Sequence, residues 1–289
     1  MSGTAPALNA PLTDSQKDAL IKLLADDDLA IYHMIRSKIV SYGPDAAEWL
    51  KKFTLSSDAI IRRRAQEIVS YLARQNADND FLAFCINHGE DLDLEAGVLL
   101  LARTQYPDIN TSAYSALLDT YAEEIRGNLK ASETAERTLA EVNDLLFQKL
   151  GFKGNEDNYY DPDNSYLNKV LDRRTGNPIS LCTVYLLIAR RLKLPMVGIG
   201  MPGHFLTRYQ SSREEYYVDA FNKGKLLSKG DCIKYLIYTS YGFEEAHLAP
   251  ITPRRMLLRV CSNLHKIYTQ HNLQEEMNRF QRYIVALAK

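Results

Sequence analysis

A change of hydrophobic period partway along the chain is the feature that most restricts its fold. Up to about residue 150, apolar residues recur at helical spacing, whereas after Pro195 they alternate with a period of two, as in half-buried strands. Helical spacing returns after Ser228. The strand-like stretches are Met196–Gly200, His204–Tyr209 and Glu215–Ala220. The pattern predicts an α+β fold with a helical N-terminal array, a core holding a small antiparallel sheet, and a C-terminal helical hairpin.

The same pattern divides the chain of 289 residues into four parts. Residues 1–12 are rich in Ala, Pro and Asn and predict a disordered lead-in. A helical domain is expected over 13–150, a mixed core over 151–250, and a hairpin of tetratricopeptide-like length over 251–289.

Capping residues give the helical domain its internal order. Thr13 precedes a first apolar period, and Ser57-Asp58 precede a longer one that runs to Leu72. A separate helical segment is predicted around Phe81–Ile86, and another over Leu94–Ala102. No strict repeat is visible, so the prediction is an irregular helical array.

Bulk properties exclude several classes of function. A net charge of −1 lacks the concentrated Lys and Arg on which nucleic-acid binding depends. The first residues lack the basic start and apolar stretch of a secretory signal. The sequence also has no run of eighteen apolar residues, so no membrane insertion is predicted. The four cysteines are isolated and the histidines dispersed, which predicts reduced thiols in the cytoplasm, no metal site and no cofactor.

One segment, residues 164–219, carries residues suited to chemistry. A helix is followed by a strand with His204 and then by a paired strand with Asp219. This is the order that a Cys-His-Asp acyl-transfer site requires. In such a site a thiol at a helix N-terminus is deprotonated by the imidazole, and the carboxylate fixes the imidazole tautomer.

Three short motifs in this segment carry a family resemblance. They are Asn164-Ser165-Tyr166-Leu167, Gly176-Asn177-Pro178-Ile179-Ser180-Leu181 and Pro202-Gly203-His204-Phe205-Leu206. Together they resemble the transglutaminase-like core of SirB-type proteins, a bacterial family whose relatives include part of a eukaryotic F-box subunit. The resemblance covers about residues 80–270 and implies a papain/transglutaminase-like core between a helical domain and a tetratricopeptide-like tail.

The resemblance also implies where this chain departs from the wider superfamily. There the nucleophile follows a Gly-x-Cys pattern, and Gly176 and Pro195 match the flanking positions without a gap, which places Pro178 at the nucleophile position. His204 and Asp219 match the family's His and Asp. The implied Cys-His-Asp site is therefore degenerate, because Pro178 has no attacking atom.

Two neighbours remain candidates for a replacement nucleophile. With Asn177 as cap and Pro178 as the first helical residue, Ser180 would lie ~200° around the helix from Pro178, on the opposite side. Cys182 would return to within ~40° of the same face but ~6 Å further along the axis. Cys182 is therefore the better-aimed candidate, although a small buried thiol in the core explains it as well.

Three functional hypotheses follow. In the first, the chain is a non-catalytic binding or scaffold module whose partner is a protein or peptide. In the second, it is a cysteine hydrolase or acyltransferase using Cys182 with His204 and Asp219. In the third, the helical array binds a partner and the core is a spacer. His204 and Asp219 fit either a structural pair or a retained acid–base pair. The residues expected to line the cleft are Asn164, Tyr166, Asn177, Pro178 and Ser180.

Overall fold

The computed structural model describes residues 12–129, 134–239 and 241–289. Nearly all of the predicted disordered lead-in, 1–12, lies outside these residues. The chain is mostly helical with small sheets, so the predicted α+β class is confirmed. The first six helices are α1 (Asp14–Leu24), α2 (Leu29–Val40), α3 (Pro44–Leu50), α4 (Ala59–Asn87), α5 (Leu94–Gln105) and α6 (Thr111–Asn128).

The remaining elements include all of the strands. The helices are α7 (Ala135–Asn143), α8 (Leu167–Arg173), α9 (Pro178–Arg191), α10 (Lys229–Tyr238), α11 (Pro253–Gln270) and α12 (Gln274–Leu287). The strands are β1 (Lys153–Gly154), β2 (Thr175–Gly176), β3 (Met196–Ile199), β4 (Leu206–Gln210), β5 (Glu215–Asp219), β6 (Lys225–Leu227) and β7 (Pro250–Ile251). A π-helical turn over Asp144–Lys149 follows α7.

Contacts between residues group the chain into two compact units. The N-terminal unit contains described residues up to Asn79 together with 103–108, and the C-terminal unit contains 80–102 and the described residues from Ile109 onward. The grouping differs from the predicted domains, because the mixed core, the final hairpin and the later helices form a single unit.

The N-terminal unit packs its helices around one apolar cluster, in which Leu24, Ile39 and Leu50 are fully buried. Arg64 lies in this unit with its guanidinium over the ring of Tyr32. Its Nη1 donates to two main-chain oxygens at the end of α1 and just beyond, each at 2.7 Å. The expectation of separate helices ending near Leu72 and starting at Phe81 is wrong, since α4 is continuous. No Gly or Pro occurs between Ala59 and Asn87 to interrupt it.

A five-stranded antiparallel sheet with the order β6-β5-β4-β3-β7 forms the centre of the C-terminal unit. Side chains alternate between the two faces of a strand. Leu206 and Tyr217 pack with α10, whereas their neighbours Thr207 and Val218 are fully buried on the opposite face. Helix α9 packs against β3 and β4. The sheet is therefore buried on both faces.

Arg254 on α11 joins two helix ends in the C-terminal unit. It is 6% exposed, and its guanidinium donates four hydrogen bonds of 2.7–2.9 Å to main-chain carbonyls. Two belong to Cys85 and His88 at the end of α4, and two to Ala286 and Leu287 at the end of α12. A cation placed there satisfies carbonyls that a helix leaves unbonded and complements the negative end of its dipole.

None of the helices within the described ranges is long and apolar enough to cross a membrane.

Replacing Arg254 with methionine is expected to destabilise the protein strongly, because four main-chain carbonyls, three of them in buried hydrogen bonds, lose their donor. Hydrogen bonds to charged groups contribute about 1.5–3 kcal/mol each, so we expect the free energy of unfolding to fall by about 3 kcal/mol or more. Urea unfolding of both proteins measures the difference. Arg255→Met is the matched control, since Arg255 is exposed and changes little. Equal losses for the two variants would contradict the assignment.

Candidate functional site

His204 and Asp219 are brought together by the pairing of β4 with β5. Thr207 lies opposite Val218 in this pair, so the turn before β4 and the end of β5 are adjacent. The Nε2 atom of His204 is 2.9 Å from Oδ2 of Asp219, and both side chains are largely buried. His204 was expected within a strand but lies two residues before one. Placement on the turn lets its backbone depart from the pleat and aim the ring at Asp219.

Asp219 is held as a carboxylate by its neighbours. Burial raises the pKa of its carboxyl group, but the hydrogen bond from His204 and two from Asn222 outweigh burial and lower the pKa below the ordinary value. Asn222 donates its side-chain amide to Oδ2 at 2.7 Å and its main-chain N–H to Oδ1 at 3.1 Å. Because Nε2 of His204 is occupied by Asp219, Nδ1 is the ring atom available to another group.

A second set of contacts fixes the turn that carries His204. Gly203 has φ +72°, a conformation that favours glycine, and an added Cβ would lie 3.0 Å from the ring of Tyr241. Arg259 on α11 donates from one Nη2 to the carbonyls of Met201 and His204, at 2.8 and 2.9 Å. Burial lowers the pKa of Arg259. The imidazole is therefore positioned through its backbone as well as through Asp219.

The start of α9 is equally well defined. Asn177 caps the helix by accepting the main-chain N–H of Ser180, and Pro178 occupies the first helical position, where its missing N–H costs nothing. Asn177 also donates to the hydroxyl of Ser165 at 2.8 Å. A Cβ on Gly176 would lie 2.5 Å from the hydroxyl oxygen of Ser180, so a side chain there would disrupt the cap.

Asn164 and Tyr166, expected to line the cleft, are buried in the protein behind it. Asn164 donates to the carbonyls of Asn158 and Tyr159 and accepts from the amide of Asn155. Its main-chain oxygen accepts the N–H of Asn177. The hydroxyl of Tyr166 is 2.8 Å from that of Tyr268. Asn164 thus ties the loop that carries Tyr159 to the start of α9.

Two adjoining grooves open beside His204, and both are also lined by Tyr159, Pro178 and Gly203. The first, which we name the tyrosine groove, has a volume of about 400 Å³. Its further lining includes Tyr160, Asn177, Ile179, Tyr241, Arg259 and Lys266. The second, the aspartate groove, has a volume of about 800 Å³. Its further lining includes Asp219, Phe221, Lys225, Asp231, Cys232 and Tyr235.

Neither replacement nucleophile is exposed to these grooves. Cys182 has no exposed surface, and its thiol donates to the carbonyl of Phe205 at 3.4 Å. Burial and the nearby charge of Asp219 raise its pKa well above the ordinary value. Ser180 is 4% exposed, and its hydroxyl donates to the carbonyl of Asn177.

The grooves contain residues that sequence reasoning missed. Tyr159, Tyr241, Arg259 and Cys232 all line them. Cys232 is 1% exposed, and burial raises the pKa of its thiol to about 12. The Tyr159-Tyr160 pair after a polar turn was a visible signal, since tyrosine is enriched at interfaces, where its ring is apolar and its hydroxyl polar. Nothing local distinguished Arg259. Over the described ranges, no group of three or more His, Cys, Asp or Glu residues could hold a metal ion.

A helix that starts beside a His–Asp pair, with His204 on the turn before β4 and Asp219 at the end of the paired strand β5, is the arrangement of a transglutaminase-like core. The family model described as "Transglutaminase-like superfamily" matches residues 112–262, more than half of the chain, and the chain belongs to this superfamily. The resemblance to SirB-type proteins is confirmed by relatives of that kind.

Three relatives illustrate the match. A UPF0162 protein of Xylella fastidiosa strain 9a5c is 39% identical over 190 residues, which are 63% of this chain and 67% of that protein. Protein SirB1 of Salmonella typhimurium is 34% identical over 107 residues, 37% of this chain and 38% of SirB1. F-box only protein 21 of Mus musculus is 31% identical over 232 residues, 69% of this chain.

The fraction of each relative's own length that the match covers differs widely. The chain spans about two thirds of the Xylella protein but only 36% of the mouse F-box protein. No solved structure matches the chain.

The lowered pKa of Asp219 predicts a specific dependence of stability on pH. A carboxyl group whose folded-state pKa is depressed stabilises the protein above its unfolded pKa, and this contribution is lost as pH falls through the folded pKa. Wild type should therefore exceed Asp219→Asn in unfolding free energy by more at about pH 6 than at about pH 3. Denaturant unfolding at several pH values measures this.

Asp18→Asn, at an exposed position, is the control for removing an acid in general. A difference between wild type and Asp219→Asn that stays constant as the pH is lowered would contradict the role assigned to Asp219.

Proposed function

We propose that this protein is a non-catalytic member of the transglutaminase-like superfamily, whose cleft beside His204 binds a protein or peptide. The carrying observation is that Pro178 stands at the first position of α9 and lines the same two grooves as His204. A proline side chain has neither an acidic proton nor a nucleophilic atom. The imidazole therefore has no group at that position to deprotonate.

The state of Cys182 argues against the thiol-enzyme alternative. A nucleophilic cysteine needs thiolate character and access to its substrate. The thiol of Cys182 is fully buried, bonded to a carbonyl, and has a raised pKa. Cys232 has a raised pKa too and is nearly buried. Each of these features disfavours the thiolate.

The His–Asp pair has a structural role that explains it without catalysis. Asp219 receives hydrogen bonds from His204 and Asn222, so it joins the turn before β4 to the turn after β5. Removing Asp219 would leave the largely buried imidazole without its acceptor, and removing His204 would take one of three hydrogen bonds from a buried carboxylate. The same bonds also give the groove a fixed wall, which a binding site requires.

A protein or peptide partner and a reducing compartment complete the proposal. Exposed tyrosines beside a groove are typical of protein-binding surfaces. All four cysteines are unpaired thiols, as expected for a cytoplasmic protein. We also propose that the α11–α12 hairpin is tetratricopeptide-like in its packing.

Installing a thiol at position 178 tests the proposal. In Pro178→Cys the new thiol would stand at a helix N-terminus beside an imidazole, both of which lower a thiol pKa. We expect it to react with iodoacetamide near neutral pH at least about tenfold faster than a model thiol, as low-pKa cysteines do. Cys182 in the wild-type protein should remain unmodified in the folded state. Peptide mapping by mass spectrometry identifies the site.

The double variant Pro178→Cys/His204→Ala is the matched control and should lose the enhancement. Rapid alkylation of Cys182 in the folded wild-type protein, abolished by His204→Ala, would overturn the non-catalytic proposal and favour the hydrolase or acyltransferase.

A further inference from the structure

The two grooves beside His204 differ in charge. The charged residues lining the tyrosine groove are Arg259 and Lys266, and no Asp or Glu occurs among the described residues that line it. The aspartate groove has Asp219 and Asp231 against a single Lys225. Lys266 is exposed, whereas Arg259 is mostly occupied by the carbonyls of Met201 and His204. Among the described residues that line the tyrosine groove, Lys266 is therefore the cationic group left to meet a ligand.

The start of α9 adds to this positive character. Asn177, Pro178 and Ile179 all line the tyrosine groove at the N-terminal end of a 14-residue helix. This end carries a partial positive charge and main-chain N–H groups that attract anions. Pro178 has no N–H, and that of Ser180 is bonded to Asn177, so the N–H of Ile179 remains as the donor of the first turn.

Tyrosine rings provide the rest of the surface. Tyr159, Tyr160 and Tyr241 are 40%, 49% and 54% exposed and lie along the same groove. Half-exposed tyrosines offer flat apolar area with a hydroxyl at the edge, and they lose little conformational freedom on binding. The volume of about 400 Å³ lies within the range of about 300–1,000 Å³ that is usual for binding pockets.

We propose that the tyrosine groove binds an acidic peptide segment. Carboxylates of the segment lie near Lys266 and the start of α9, and its main chain and apolar side chains pack against the three tyrosines. The inference rests on the proposed function, since it takes the groove as a binding surface. It adds the chemistry of the partner, which charge complementarity selects.

The test uses the full chain and two fluorescein-labelled dodecapeptides. One consists of three repeats of Glu-Pro-Leu-Glu, and the other has glutamine in place of every glutamate. Fluorescence anisotropy measures binding at low and at physiological salt. We expect the glutamate peptide to bind more tightly than the glutamine peptide. Its affinity should fall as salt is raised, because salt screens exposed charges.

Charge reversal locates the binding. Lys266→Glu should lower the affinity for the glutamate peptide by about tenfold or more, since like charges in contact oppose association. Lys225→Glu is the matched control, because it changes net charge equally but lies in the aspartate groove, and it should change affinity by less than about twofold. Circular dichroism checks that both variants are folded.

Three outcomes would overturn the inference: no binding of the glutamate peptide at millimolar protein, equal binding of the two peptides, or equal losses in the two variants. None of them bears on the thiol chemistry of positions 178 and 182. Rapid alkylation of Cys182, by contrast, would overturn the non-catalytic proposal while leaving these affinities unchanged. The two failures are therefore distinguishable.

Discussion

The site depends on two arginines of α11, the buried Arg254 and the half-buried Arg259, which donate hydrogen bonds to main-chain carbonyls. Arg254 donates to carbonyls at the ends of α4 and α12, and Arg259 donates to carbonyls in the turn that carries His204. A carbonyl cannot neutralise a guanidinium, so each charge is tolerated only because several oxygens surround it. These contacts require the helices and the turn to be placed together. No acid accompanies Arg259 among the described residues that line the tyrosine groove, so that lining carries an excess of positive charge.

The site combines a rigid polar pair with an inert helix start. Asp219 keeps its charge through three hydrogen bonds, and it presents the His204 ring with Nδ1 directed away from the pair's shared bond. In a thiol enzyme this arrangement would serve proton transfer. Under the proposed function, the pair beside Pro178 serves instead as a wall whose position is fixed on two sides. The hydrogen bonds that either residue's removal would break then account for the pair without a reaction.

Sequence patterns predicted the longer strands and the helix starts but missed the shortest strands. The change of period placed β3 and β5 within a residue of their observed ends, and the caps at Thr13 and Asn177 marked helix starts correctly. Strands β6 and β7 have three and two residues, too few to show alternation. The continuity of α4 was missed because residues 74–80 are polar except for Ala77 and therefore show no apolar period. Arg254 occupies the apolar stripe of α11 with Leu257, Cys261 and Leu264, a visible anomaly, but the carbonyls it meets are distant in the chain. The same holds for the tyrosine groove, whose lining comes from separate loops and helices.

Asn164 has a consequence that reaches beyond its own hydrogen bonds. Its amide and main chain connect the Tyr159 loop to the residue that caps α9, while the proline ring stiffens the following position. The Tyr159 loop and the start of α9 are thus held together by hydrogen bonds before any ligand arrives. Such pre-organisation of the backbone reduces the ordering cost that binding would otherwise impose on the protein.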